Sequence, residues 1–110
     1  MGTTARGKWA EDQALAYLKS QGLKEIGRNY RSRHGEIDLI MMQQETLVFI
    51  EVRARTRTEY MDPVETIDGR KLHKLLLTGR HYLQRHPETG TACRFDVVTL
   101  TGGMPAPLSR

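Results

Sequence analysis

Apolar residues recur at helical spacing between Lys8 and Gln21, at Ala10, Ala14, Leu15, Tyr17 and Leu18, and Gly22 follows. The pattern predicts a first helix with one apolar stripe and a glycine stop. Ala14, Leu15 and Leu18 lie three, four and seven residues after Glu11, so the Glu11 carboxylate rides on the side of the helix that looks toward the core.

Next come a short strand around Glu25 to Arg31 and two longer ones, Glu36 to Met42 and Leu47 to Arg53, rich in Ile, Leu, Val, Met and Phe. Gln43 to Thr46 form the hairpin loop between the longer pair. Ala54 to Asp68 is basic, contains Pro63 and reads as a loop. Gly69 to His86 predicts a second helix with Leu72, Leu75, Leu76 and Leu83 on one stripe. Gly79 inside it costs about 1 kcal/mol relative to Ala, which points to close packing or a kink. Arg94 to Leu100 reads as a final strand and Thr101 to Arg110 as a loose tail. The order helix, three strands, helix, strand predicts an α/β domain over residues 1–100, with a mixed central sheet flanked by helices and a tail at 101–110.

A chain of 110 residues with 38% hydrophobic content supports one core. Lys and Arg number 17 against 13 Asp and Glu, a net charge of +4 that favours anionic partners without naming them. Cys93 is the lone cysteine, which excludes an intramolecular disulfide and a thiolate metal cage and fits a reducing compartment. No apolar run approaches the ~20 residues of a membrane span, and Met1 to Lys8 lacks the apolar core of a signal peptide. The expectation is a cytoplasmic protein with no membrane partner.

The hairpin carries the chemistry. A four-residue loop sets Asp38 opposite Glu51, Glu36 opposite Arg53, Ile40 opposite Phe49 and Met42 opposite Leu47. The other face pairs Ile37, Leu39 and Met41 with Val52, Ile50 and Val48, so both faces are largely buried. Two carboxylates facing each other in a buried sheet repel unless a proton or a cation intervenes. Hard oxygen ligands suit Mg²⁺ or Mn²⁺, which accept one or two carboxylates, keep several waters and admit a phosphate oxygen. Arg53 points to the same face as Glu51 and can contact a scissile phosphate. The competing account is electrostatic only: Glu36 and Arg53 form a cross-strand ion pair, and other basic residues neutralise Asp38 and Glu51.

The run Gly35-Glu36-Ile37-Asp38-Leu39-Ile40, followed by Val48-Phe49-Ile50-Glu51-Val52-Arg53-Ala54-Arg55, resembles the signature of the YraN family, small bacterial proteins related to archaeal Holliday junction resolvases. Glu11 in its Ala-rich helix and Arg94-Phe95-Asp96-Val97 agree with it, and the likeness spans roughly residues 7 to 100. The family is placed in the PD-(D/E)xK nuclease superfamily. The resemblance implies a restriction-endonuclease-like fold and hydrolysis of DNA phosphodiester bonds, on branched or single-stranded DNA, with Mg²⁺ or Mn²⁺. It also implies Asp38, Glu51 and the Val52 carbonyl as metal ligands, Glu11 as a supporting acid and Arg53 in the place of the motif lysine. A guanidinium does not deprotonate near neutral pH, so Arg53 can stabilise charge but cannot act as a base.

Arg31, Arg33, Arg55, Arg57 and Lys71, with Arg28, Arg70 and Lys74, are candidates for a phosphate-binding rim, and Tyr30 for a stacking surface. His34 carries little weight as a ligand. His73, His81 and His86 read as surface residues, and Trp9 and Asp96 as structural ones. Two further functions stay open: an inactive nucleic-acid-binding or adaptor protein that keeps the nuclease fold, and an interaction module for an acidic protein. DNA is the expected partner, and a homodimer is compatible with the reading.

Overall fold

The computed structural model describes residues 5–55, 69–89 and 92–101. Within them the chain runs α1 (Ala5–Ser20), β1 (Lys24–Ser32), β2 (Gly35–Gln43), β3 (Thr46–Arg55), α2 (Gly69–Arg85), a 3₁₀ turn (Pro87–Thr89) and β4 (Cys93–Thr101). The four strands form one sheet in the order β1-β2-β3-β4. The first three are antiparallel, while β4 joins β3 in parallel after the α2 crossover. This is the mixed sheet with helices on both faces that the restriction-endonuclease-like fold requires.

Each helix covers one face. Ala14, Leu15 and Leu18 of α1 pack on Leu39, Met41, Val48 and Ile50. Leu75 and Tyr82 of α2 pack on Ile37, Ile40, Leu47 and Phe49. Helix α1 stops as the sequence indicates. Gly22 takes a φ of 96°, its amide donates to the Lys19 carbonyl, and the Leu23 amide donates to the Leu18 carbonyl. This is the two-bond glycine cap, completed by Leu18 and Leu23 sharing one core cluster.

Four details differ from the sequence reading. Gln43 pairs with Thr46, so the β2–β3 turn is Gln44-Glu45 rather than a four-residue loop, and the register is unchanged because both ladders are centred on the same point. Ile37 lies on the α2 side with Ile40, not on the α1 side with Leu39. The alternation lapses at Asp38 and, on β1, at Asn29, whose φ of 52° is left-handed. Consequently Arg28 and Asn29 both reach toward α1 while Tyr30 joins the α2 cluster.

The third difference concerns α2. Its buried stripe is Leu75, Thr78, Gly79 and Tyr82, while Leu72 and Leu76 are 42% and 48% exposed. Leu72 borders a largely apolar cavity of about 280 Å³ with Phe95 and Val97, so the sheet does not fill the space beneath the start of the helix. Gly79 is packed closely, as expected: a Cβ there would stand 2.8 Å from Phe95 Cζ. Last, His81 is a partly buried partner of Tyr30, with Nδ1 2.6 Å from the phenol oxygen, rather than a surface residue. No helix among the described residues is long and apolar enough to cross a membrane.

Candidate active site

The end of the β2–β3 hairpin opens into a cleft of about 330 Å³ beside the first turns of α2. Glu36, Asp38 and Glu51 line it from the sheet, and Arg70, Lys71 and Lys74 line it from the helix. Acids on one wall thus confront bases on the other.

Asp38 is held at the mouth of the hairpin. The paired residues of the β2–β3 ladder end at Leu39 and Ile50, one step short of an Asp38–Glu51 pair. The Val52 amide, one residue beyond Glu51, donates to Asp38 Oδ2 at 2.8 Å. A side-chain carboxylate therefore stands in for a ladder acceptor, which fixes Asp38 against β3. Burial pushes its carboxyl up to about 7; the Val52 hydrogen bond opposes the rise, and the charges of Glu51, Glu11 and Glu36 add to it. The Asp38 proton responds to acids from both sides of the sheet.

Glu51 is buried, with only 8% of its side chain exposed, and it is neutralised from two directions. Lys71 Nζ lies 2.9 Å from Oε2, and Arg53 Nε, two residues along the same strand, lies 3.5 Å from the same oxygen. Glu36 has Arg31 Nε of β1 at 3.7 Å, so the ion pairs are Arg31–Glu36 and Glu51–Arg53 rather than the Glu36–Arg53 pair of the competing electrostatic account. Glu36 stands directly across from Arg31 in the β1–β2 register.

Glu11, on α1, is buried and is not among the residues that line the cleft; its charge is one of those that raise the Asp38 carboxyl. Asn29 Nδ2 donates to the two Glu11 oxygens at 3.2 and 3.3 Å, and Arg28 lies 3.7 Å away. Arg28 makes its shorter contact, 2.7 Å, with Asp12, whose carboxyl is held below its ordinary value chiefly by that hydrogen bond. Arg28 thus serves α1 rather than a phosphate rim.

The remaining candidates divide. Arg33 is exposed. Lys71 is drawn into the acidic wall rather than standing on the rim. Arg55 ends β3, but its side chain and the whole of Arg57 lie outside the described residues. Tyr30 is engaged by His81 and packs edge-on against Tyr82, 5.1 Å between centroids, so it is a core contact rather than a stacking platform. His86 stacks on Tyr82 at 4.3 Å, and Asp96 is paired with Arg94 at 3.1 Å.

Sequence reasoning overlooked Asn29. The available signal was its residue type: asparagine is several-fold enriched at left-handed backbone positions, and one placed inside a strand marks an irregularity.

Among the described residues no three His, Cys, Asp or Glu side chains converge as a metal cage. The donor pair that shares the cleft, Asp38 and Glu51, nevertheless fits Mg²⁺ or Mn²⁺, which need only one or two carboxylates and retain waters. Mutual repulsion within that acid cluster is what a divalent ion would relieve.

Residues 10–100 match the model of Uncharacterised protein family UPF0102. The chain belongs to that family. The likeness drawn from the Gly35–Ile40 and Val48–Arg55 runs is thereby borne out. A UPF0102 protein of Aeromonas hydrophila is 45% identical over 103 residues, covering 92% of this chain and 79% of its own. One from Pseudomonas putida strain GB-1 is 46% identical over 90% of this chain and 81% of its own. One from Coxiella burnetii is 48% identical over 84% and 78%. The UPF0102 match takes in Glu11, Asp38, Glu51, Arg53 and Lys71.

Proposed function

We propose that this UPF0102 protein is a divalent-metal-dependent nuclease that hydrolyses DNA phosphodiester bonds, on branched or single-stranded DNA. The observation that carries the reading is the cleft in which Asp38 and Glu51 face the basic first turns of α2. An acidic wall suits a cation, and a basic wall across about 330 Å³ suits the phosphate that accompanies it.

Asp38, Glu51 and the Val52 carbonyl would hold the ion, which when bound supplies a Lewis acid for the phosphoryl oxygen and an activated water. The chain's own residues do the rest. The Val52 amide orients Asp38, and Asn29 holds the Glu11 carboxylate of α1. Arg53, permanently charged, balances Glu51 and the phosphate. Arg31, Arg33, Arg70 and Lys74 furnish charge for the backbone of the nucleic acid.

The test is incubation with branched, single-stranded and duplex DNA, with and without Mn²⁺ or Mg²⁺, for wild type, Asp38→Asn and Glu51→Gln. Metal-dependent cleavage lost in both variants is the expected outcome. A second reading is favoured by one observation: Lys71 and Arg53 already neutralise Glu51. On that reading the protein is an inactive nucleic-acid binder, and wild type binds DNA in a salt-dependent way but neither cleaves it nor responds to Mn²⁺.

A further inference from the structure

The motif leaves a chemical gap, because Arg53 supplies a fixed charge where a lysine would supply a small, mobile one. Lys71 lies against the same acid. Its Nζ is 2.9 Å from Glu51 Oε2, closer than Arg53 Nε at 3.5 Å. The two members of this pair are held very differently: the Glu51 side chain is 8% exposed, that of Lys71 43%. Glu51 is fixed in the sheet, whereas the ammonium sits on a four-carbon stem that reaches in from α2 and can swing out again.

Lys74 stands one turn further along the same cleft, so two α2 ammonium groups face its acidic wall.

We propose that Lys71 is the exchangeable cation of this site: it occupies Glu51 in the metal-free protein, gives way to the divalent ion, and then contacts the phosphate that the ion brings. The inference rests on the nuclease reading and assigns to α2 the role that the Glu51–Arg53 strand leaves unfilled. It separates Lys71 from Arg70 and Lys74, which would bind DNA without affecting metal affinity. It also explains how a carboxylate so deeply buried can await a metal without an uncompensated charge.

Mn²⁺ affinity is the decisive measurement, by calorimetric titration and by the rise in melting temperature, on wild type, Lys71→Gln, Lys71→Arg and Glu51→Gln. With its competitor removed, Lys71→Gln should bind Mn²⁺ about 5- to 10-fold more tightly than wild type, yet cleave DNA more slowly at saturating Mn²⁺. Lys71→Arg should return the Mn²⁺ affinity toward wild type. A residue that merely braced the fold would weaken both properties together. Mn²⁺ binding that depends on Glu51 but is unchanged or weaker in Lys71→Gln overturns this inference and leaves the nuclease reading standing. Absence of any Mn²⁺ binding by wild type overturns both.

Discussion

Asp38 and Val52 are joined by a hydrogen bond from a backbone amide of one strand to a side chain of its neighbour, 2.8 Å from Val52 N to Asp38 Oδ2. The contact lies where the β2–β3 ladder ends, and it makes the backbone around Glu51 and the carboxylate of Asp38 a single unit. Any change in the charge of Asp38 is therefore felt by the fold as well as by a bound ion.

The first consequence concerns pH. The Asp38 carboxyl titrates near 7 in the folded protein, above its ordinary value of 3.8, mainly because of burial. A raised folded-state value means that the folded chain holds the proton more tightly than the unfolded chain. The stability this contributes is complete below pH 3.8 and is lost as pH rises toward and through 7. The difference in melting temperature between metal-free wild type and Asp38→Asn should therefore shift against wild type between pH 5 and 7.5. A difference independent of pH across that window would contradict the assignment.

Asp38→Asn at pH 7.5 should leave the metal-free protein at least as stable as wild type, since an amide oxygen can still accept from Val52 while one of several like charges is gone. Mn²⁺-induced stabilisation should vanish in the same variant, because a ligand stabilises only the folded state that holds it. Thermal melts with and without Mn²⁺ check both halves. A variant that melts several degrees below wild type without metal would mean that Asp38 is held by ion pairs, as about 1 kcal/mol corresponds to roughly 4–8 °C in a domain of this size.

Asn29 offers a test of backbone and side chain together. Its φ of 52° and its bonds to both oxygens of Glu11 are separable by substitution. Asn29→Gly should keep the left-handed conformation and lose only the Glu11 contact, costing about 1 kcal/mol. Asn29→Ala should lose both and cost about 1–3 kcal/mol. Denaturant unfolding of the two variants, compared at constant m, reads the difference; equal losses would show that the backbone conformation carries no penalty.

DNA affinity should fall steeply with salt. For duplex DNA each phosphate contact contributes about 0.9 to the slope of log affinity against log salt, so Arg70→Ala with Lys74→Ala should flatten it by up to about 1.8. Filter binding or fluorescence anisotropy across a salt series measures this. An unchanged slope would place the DNA away from the α2 wall.

Much of this was legible in the sequence because the strands are both buried and strongly patterned. The β2–β3 register, read from a four-residue loop that sets Ile40 against Phe49 and Met42 against Leu47, survives the shorter turn because both are centred on the same point. The inward direction of Glu11 was legible because its helical neighbours, Ala14, Leu15 and Leu18, are core residues. Period-two counting failed at Asp38, where the alternation lapses, and it therefore misplaced Ile37. Leu72 was expected to be covered because a helical stripe says which direction a residue faces, not whether the sheet extends beneath it. The Lys71–Glu51 contact joins residues 20 positions apart through a crossover, and no local pattern encodes it.

Gly79 gives the site a mechanical aspect. With its backbone against the rings of Phe49 and Phe95, it serves as the fulcrum on which α2 rests, and Lys71 lies eight residues, or about 12 Å, along the same rod. A methyl group at the fulcrum, in Gly79→Ala, would meet Phe95 Cζ at 2.8 Å and force ring or helix to move. If the helix moves, the displacement reaches the ammonium at its far end. The distance between Lys71 and Glu51 is thus set partly by an apolar contact that no ion or nucleic acid touches, and drift at position 79 would retune the site from a distance.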